Sequence, residues 1–175
     1  MSLPADLRER PYEAGDADAL AALARACDET YLDWAPAGWR VPDIPAGWAQ
    51  RFLGPERSTR VAVDAVGTLV ASVGFRPAFD DRAPGPPSGP PLPGVAHVGI
   101  VFVHPSRWRE GIARAMLGSA HVAMLERGYV RAQLWTPEGA PAERFYTALG
   151  WSRDGRRAWH PWVGLHVVGY ARDLA

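Results

Sequence analysis

One stretch of sequence limits how this chain can fold more than any other: residues 101–116 read VFVHPSRWREGIARAM. It predicts a strand that ends at Pro105, because proline cannot donate a hydrogen bond within a sheet. A short arginine-rich loop with one glycine follows, and apolar residues then recur at helical spacing from Ile112 to Met124. The chain is therefore expected to pass from a strand, through a tight loop, into a helix.

The loop in this stretch is predicted to hold a phosphate or pyrophosphate group. Backbone N–H groups at a helix start have no partner within the helix and carry a partial positive charge, which suits an anion. Arg107, Arg109 and Arg114 add full positive charges nearby. A lysine-containing phosphate loop is excluded because the chain has no lysine. A Rossmann fingerprint is excluded because its glycine spacing is missing.

The strand before the loop offers a candidate general base, His97. Strict alternation predicts that His97 shares one face of the strand with Val101 and Val103. The opposite face is then expected to carry Val98, Ile100 and Phe102. An ordinary histidine pKa of about 6.5 suits a base near neutral pH. A hydrogen-bonded histidine without a catalytic role is an equal alternative.

Composition limits the class of protein and its partners. With 175 residues, 47% apolar and 22% charged, the chain is expected to form one soluble globular domain. A net charge of zero gives no electrostatic sign of nucleic acid or of an acidic membrane surface. No apolar run reaches membrane-spanning length and the N-terminus lacks an apolar signal core, so a cytoplasmic location is expected. Cys27 is the only cysteine, which excludes internal disulfides and cysteine-based zinc sites, and no metal is expected.

The remaining patterns predict a mixed sheet with helices on both faces, in the α/β or α+β class. Strands are expected at residues 7–12, 59–64, 68–75, 97–103, 129–135 and 164–172, with one more from Trp151 to a turn at Asp154 and Gly155. Helices are expected at residues 17–31, with Asp16 as the N-cap, and at residues 46–53, 112–128 and 141–149. The proline- and glycine-rich residues 80–94 are predicted to form a mobile surface loop that contains no central strand.

Two separated segments resemble motifs of the GCN5-related N-acetyltransferase (GNAT) superfamily. Residues 103–105 (VHP) and 111–113 (GIA) resemble its strand–loop–helix motif, and residues 142–151 (AERFYTALGW) resemble its Ala-x-x-Phe-Tyr-x-x-x-Gly-Phe helix. The loop departs from the family pattern at Trp108, Arg109 and Glu110, where Gln or Arg, glycine and a basic residue are common. Gly139 stands where the family often has an asparagine.

The resemblance implies a single domain over residues 1–175 with a mixed, mostly antiparallel sheet of about seven strands flanked by helices on both faces. It implies an N-acetyltransferase that moves an acetyl group from acetyl-CoA to a primary amine by direct attack in a ternary complex. The acceptor would be a small molecule, an amino acid, an antibiotic or a peptide N-terminus. Homodimers are frequent among similar proteins, so a homodimer is one expected assembly.

The same resemblance assigns roles to residues. Tyr146 matches the general acid, and His97 is the candidate base, although relatives also use a glutamate or water. Coenzyme A would contact Tyr146 and, along the strand and loop, Val101, Phe102, Val103, Trp108, Arg109, Glu110, Gly111, Ile112, Ala113 and Arg114. The acceptor would contact residues of the first helical region and the last two strands: Asp33, Trp34, Trp39, Trp159 and His160. These aromatic side chains suit an apolar or cationic amine.

One alternative keeps the fold but removes the chemistry. The departures at Trp108, Glu110 and Gly139 also fit a non-catalytic module that binds CoA or acyl-CoA in a sensing or structural role.

Overall fold

The structure, a computed structural model, describes residues 2–80, 83–85 and 89–175. The strands are β1 (Arg8–Pro11), β2 (Ser58–Val63), β3 (Leu69–Phe79), β4 (Pro91–Val103), β5 (Arg131–Pro137), β6 (Ser152–His160) and β7 (Leu165–Asp173). The α-helices are α1 (Ala17–Glu29), α2 (Ile112–Glu126) and α3 (Ala142–Ala148). Short 3₁₀ turns lie at Ala14–Asp16, Thr30–Asp33, Ala49–Phe52 and Pro105–Arg107.

The strands form one seven-stranded sheet in the order β1-β2-β3-β4-β5-β7-β6. Every neighbouring pair is antiparallel except β4 and β5, which are parallel. The predicted mixed, mostly antiparallel sheet flanked by helices is therefore confirmed.

Two apolar clusters cover the two faces of this sheet. Side chains of α2, spaced as Ile112, Met116, Ala120 and Met124, pack on one face together with Tyr146 of α3. The apolar stripe of α1, which is Leu20, Leu23, Ala24 and Cys27, packs on the other face. The loop before α2 and the end of α1 are thus held on opposite sides of the central strands.

The central strands β4 and β5 pair over a short length only. Their register is Val95 with Arg131, Ala96 with Ala132 and His97 with Gln133. No further pairing joins the two strands in the described ranges, which shows that they separate beyond these positions. The separation opens a V-shaped gap toward the end of β4.

A β-bulge at Ile100 corrects the prediction for the faces of β4. Gly74 of β3 pairs with Gly99 and Ser72 pairs with Phe102, so β4 has one extra residue in this interval, and Ile100 has a φ of 47°. Side chains therefore change face at the bulge. Val101 and Val103 pack with the cluster that contains Val98, whereas Ile100 and Phe102 pack with the α1 cluster. The predicted face shared by His97, Val101 and Val103 is wrong, because strict alternation assumes an uninterrupted strand.

Glycine 74 gives the bulge its space. A Cβ at Gly74 would lie 3.1 Å from Cδ1 of Ile100 and 3.2 Å from Oγ1 of Thr59. On the backbone side, Ser72 Oγ donates a hydrogen bond to the Ile100 carbonyl at 2.7 Å. The bulge is thus fixed by one missing side chain and one buried hydroxyl.

Other elements differ from the sequence prediction in detail. Residues 154–155 do not form a turn between strands, because β6 continues through a register shift between Arg153 and Arg157 and the chain reverses at residues 161–164. The segment predicted as a helix at 46–53 contains a short 3₁₀ turn. The Asp16 side chain does not cap α1, since it accepts hydrogen bonds from Arg10 at 2.7 Å and from the Glu13 N–H at 2.9 Å.

The proline-rich segment is only partly a loop. Strand β4 begins at Pro91, which pairs with Phe79, so residues 91–94 are strand and not loop. Proline is tolerated at the start of a strand. The predicted mobile loop lies partly outside the described residues, at positions 81–82 and 86–88.

Candidate active site

A cleft of about 1250 Å³ occupies the gap between β4 and β5. Its walls are the end of α1 with the following turn, the loop before α2, the end of β5 with α3, and the reversal between β6 and β7. Ligand pockets usually enclose ~300–1000 Å³. The cleft is therefore large enough for more than one ligand at a time.

The loop before α2 presents a row of unpartnered backbone donors to this cleft. The Trp108 N–H donates to the Pro105 carbonyl, and the Ala115 N–H donates to the Gly111 carbonyl at 3.0 Å. No backbone N–H between these two residues has an acceptor in the described part of the chain. These are residues 109–114. Gly111 has a φ of 80°, which turns the chain into the helix. The predicted phosphate cradle thus has the donors that it requires.

The side chains around the loop divide into paired and unpaired charges. Arg107 binds Glu110 at 2.7 Å and Asp6 at 3.0 Å. Glu110 lies outside the cleft, whereas the other nine predicted strand and loop contacts line it. Arg109 and Arg114 are exposed and have no ion pair among the described residues. The charge available to an anion therefore comes mainly from these two arginines, because Glu110 neutralises Arg107.

Arg109 has a left-handed backbone, with a φ of 69°. A non-glycine residue in that region costs about 1–2 kcal/mol. Arg109→Gly is therefore expected to raise the free energy of unfolding by about 1 kcal/mol, measured by urea denaturation. Arg114→Gly, which also removes an arginine but in the first turn of α2, is expected to lower the free energy of unfolding, because glycine weakens helices. Equal destabilisation by both variants would contradict the strain at Arg109.

Tyr146 brings a hydroxyl into the cleft from α3. The residue is buried, and its ring lies 5.4 Å from Phe145 and 6.1 Å from both Trp151 and Tyr170, centroid to centroid. The hydroxyl has no hydrogen-bond partner within the described ranges, and the residue lines the cleft. Burial raises the pKa of Tyr146, so the hydroxyl stays protonated at neutral pH. It is a proton donor available to a ligand.

His97 differs from the expectation of an ordinary titrating histidine. Burial, together with the charges of Arg76, Arg156 and Arg57, lowers its pKa to about 3. His97 lines the cleft and is half-buried. At physiological pH it is a neutral imidazole and only a weak proton acceptor.

A cavity of about 330 Å³ beside His97 carries several arginines that sequence reasoning did not connect. Arg51, Arg57 and Arg76 line it. Burial and the charge of Arg51 lower the pKa of Arg57, which places the two guanidinium groups near one another. Neither Arg51 nor Arg57 has an ion pair among the residues that the structure describes. The positive charges of Arg51 and Arg57, unpaired among the described residues, favour an anionic ligand group here.

The residues predicted to bind the acceptor are only partly brought together. Asp33, Trp34 and His160 line the cleft. Trp39 lies outside it, where its indole donates to the Val163 carbonyl at 2.8 Å. Trp159 also lies outside, 54% exposed, with its ring 5.2 Å from His166. Trp48 and Trp162, whose ring centroids are 5.9 Å apart, complete the aromatic wall.

Asp28 is the cleft residue that sequence reasoning used least. Its charge alone does not distinguish it from nearby acidic residues such as Glu29 and Asp33, yet the residue is buried, with 6% exposed. Burial raises its pKa to about 6. Its position four residues after Ala24 on the apolar stripe of α1 was the available signal. A carboxylate on a buried stripe indicates either a partner or a ligand.

The backbone N–H of Gly139 already has a hydrogen-bond acceptor within the protein. Its N–H donates to Glu143 Oε1 at 2.7 Å. Glu143 also accepts from Tyr170 at 2.7 Å and binds Arg153 at 2.6 Å. The position where the family often has an asparagine therefore anchors α3 to the sheet.

Comparison with known proteins identifies the class. The sequence matches the Acetyltransferase (GNAT) family over residues 23–151, so this chain belongs to that family. Three solved structures share the fold. One is a GNAT-family acetyltransferase from Staphylococcus aureus Mu50, with 14% identity, 97% and 99% of the two chains covered and a TM-score of 0.72. The second is the ribosomal-protein-S18-alanine N-acetyltransferase from Escherichia coli, with 16% identity, 97% and 94% covered and a TM-score of 0.68.

The third similar structure contains coenzyme A. It is an aminoglycoside 6'-N-acetyltransferase, with 16% identity, 96% and 97% covered and a TM-score of 0.65. The sequence matches none of the curated proteins with which it was compared. Members of the GNAT family are acyltransferases that use acetyl-CoA. The free N–H groups at residues 109–114 and the large cleft fit that group.

Neither a membrane-spanning helix nor a metal-binding cluster of side chains occurs among the described residues. No helix among them is long and apolar enough to cross a membrane. No group of three or more His, Cys, Asp or Glu side chains in that part of the chain could hold a metal ion.

Proposed function

We propose that this protein is an N-acetyltransferase that moves an acetyl group from acetyl-CoA to a primary amine by direct attack in a ternary complex. The observation that carries the proposal is the buried, protonated Tyr146 hydroxyl, which has no partner among the described residues and lines the same cleft as the donor row at residues 109–114. When bound, acetyl-CoA supplies an acetyl group activated as a thioester.

The chain's own groups divide the binding of CoA between backbone and side chains. The N–H groups of residues 109–114 hold the pyrophosphate, with Arg109 and Arg114 adding charge. Residues 101–103 of β4 would hold the pantetheine arm. The Val103 carbonyl already accepts from Trp108 Nε1 at 2.7 Å and from Cys27 Sγ at 3.3 Å, so the other backbone groups there make the pairing.

Tyr146 serves as the general acid. Its raised pKa keeps it protonated at neutral pH, so the hydroxyl can hydrogen-bond to the departing sulfur and give up its proton as the carbon–sulfur bond breaks. Preorganised donors at a site of developing charge contribute about 10²–10³ in rate each.

His97 is not expected to set the pH dependence. Because its pKa is about 3, it stays neutral above pH 5. His97→Ala is therefore expected to leave the midpoint of any acidic limb of kcat/KM unchanged, measured from about pH 5 to 9. Loss or displacement of the limb in this variant would show that His97 is the titrating base.

The cavity lined by arginines limits the chemical class of the proposed acceptor. Arg51 lines both the cavity and the cleft, so an acceptor whose amine lies near Tyr146 can reach the arginines with a second, acidic group. We expect an amine that carries a carboxylate or phosphate, such as an amino acid, to be preferred over the same amine without it.

A matched amine panel tests the function. Amino acids, their amides and their decarboxylated amines are each incubated with acetyl-CoA while the released CoA thiol is measured. Amine-dependent CoA release, faster for acceptors with the acidic group, is expected. Calorimetric binding of CoA without release across the panel would instead favour the non-catalytic CoA-binding module.

A further inference from the structure

We propose that Asp28 receives the protonated amine of the acceptor and takes its proton before acetyl transfer. This proposal rests on the acetyltransferase function proposed above and names the residue that recognises the amine.

Asp28 is a buried carboxylate without a partner among the described residues. Only 6% of the residue is exposed, it lines the cleft, and no hydrogen bond or ion pair joins it to any described residue. A buried carboxylate is normally paired, because losing its hydration without compensation is costly. The open side of Asp28 faces the cleft, so the missing partner is a ligand that enters there.

The position of Asp28 in its helix also favours a cationic ligand. It lies in the last turn of α1, which ends at Glu29. The end of a helix carries a partial negative charge and favours cations, so a carboxylate there is unfavourable until a cation arrives. A protonated amine supplies that cation together with hydrogen-bond donors.

Asp28 and Tyr146, the proposed general acid, both affect the pKa of the same neighbour, Tyr31. Burial raises the pKa of Tyr31, and the charges of Asp28, Tyr146 and Cys27 raise it further. Burial also raises the pKa of Cys27 to about 12, so the thiol stays protonated. A proton acceptor and a proton donor thus both lie close enough to Tyr31 to affect its pKa, and both line the cleft. Acetyl transfer to an ammonium group needs both.

Other titratable and charged groups also line the cleft away from the loop before α2. They come from the turn after α1, from the 3₁₀ turn at Ala49–Phe52 and from β3, β4, α3 and the β6–β7 reversal: Tyr31, Asp33, Arg51, Arg76, His97, Tyr146 and His160. Among them Asp33 is the only other carboxylate, and it is exposed. Asp28 is thus the buried acidic group available to an amine.

The proton and electron movements balance with this assignment. The acceptor's ammonium gives one proton to Asp28, and the freed nitrogen lone pair forms the new bond to the thioester carbonyl carbon. Tyr146 gives its hydroxyl proton to the sulfur as the carbon–sulfur bond breaks with its electron pair on sulfur. The second nitrogen proton restores the Tyr146 hydroxyl, and Asp28 releases its proton to water.

Asp28→Asn tests the proposal in two independent ways. With the panel amine that gives the fastest CoA release, kcat/KM is expected to fall by about 10²-fold or more, with the acidic limb near pH 6 lost and the Kd for CoA unchanged. With no ligand present, the melting temperature at pH 8 is expected to rise by roughly 5 °C, because an unpaired buried charge is removed. At pH 4, where Asp28 is already neutral in the folded protein, the rise should vanish.

Glu29→Gln is the matched control, since Glu29 is the adjacent exposed carboxylate and pairs with Arg25 at 3.4 Å. It is expected to leave turnover and the pH limb unchanged. Asp28→Asn with wild-type kcat/KM, or with a lower melting temperature at pH 8, overturns the proposal. If wild-type protein acetylates no amine, the proposed function fails, and calorimetry with the same amines still decides the role of Asp28. An amine bound by wild type but not by Asp28→Asn supports it, and equal binding or no binding to both overturns it.

Discussion

Replacing Tyr146 by phenylalanine is expected to lower kcat by about 10²–10³-fold and to leave the Kd for CoA nearly unchanged. The substitution removes only the hydroxyl, and the ring contacts with Phe145, Trp151 and Tyr170 remain. The leaving sulfur then loses its proton donor, while the donor row that binds CoA stays intact. Steady-state CoA release and calorimetry separate the two quantities.

Tyr170→Phe is the matched control for this variant. It also removes one tyrosine hydroxyl, but that hydroxyl donates to Glu143 at 2.7 Å and lies outside the cleft. A loss of about 1 kcal/mol in the free energy of unfolding, with kcat unchanged, is expected. Full turnover by Tyr146→Phe would remove the general-acid role.

The second large effect is expected at the start of α2. Gly111→Val should weaken CoA binding by about 30-fold or more, which corresponds to roughly 2 kcal/mol. Gly111 has a φ of 80°, a conformation that a β-branched residue rarely adopts. Relief of the strain would turn the N–H groups of residues 109–114 away from a common point. Calorimetric titration with CoA measures the change.

Gly128→Val controls for backbone strain. Gly128 follows α2, has the same φ of 80° and is surrounded by open space. Both variants should lose about 1–2 kcal/mol of unfolding free energy, whereas only Gly111→Val should weaken CoA binding. Equal CoA affinities in the two variants would show that the loop does not hold the pyrophosphate.

The order of elements and the strand, loop and helix at residues 101–116 could be predicted because their signals are local. Pro105 ends a strand, Gly111 begins a helix, and the period of α2 is visible in its own residues. The motif around Tyr146 is similarly local. Each of these features depends on residues within about two helical turns of one another.

The features that were predicted wrongly depend on distant residues. The bulge at Ile100 requires the missing side chain of Gly74 on the neighbouring strand. The low pKa of His97 results from burial and from Arg57, Arg76 and Arg156, which lie in three other segments. Alternation and ordinary pKa values contain none of this information, so both the face and the titration of His97 were missed.

The residues predicted to contact the acceptor show the same limit of prediction from sequence. Tryptophan composition drew attention to Trp39 and Trp159, which the structure places outside the cleft. Asp28 and the arginines at 51 and 57 line the cleft and its adjoining cavity only when α1, the Ala49–Phe52 turn and the residue before β2 are folded near β4. Charge complementarity between segments far apart in sequence cannot be derived from their spacing.

The fate of a labelled acetyl group tests the central claim most directly. Acetyl-CoA labelled in its acetyl carbon is incubated with wild-type protein and the amine panel, and the products are separated by mass. We predict that the labelled acetyl group is transferred to the amine nitrogen of an acceptor, with one CoA thiol released for each amide formed. Label that remains with CoA for every amine, while CoA still binds, would contradict the account.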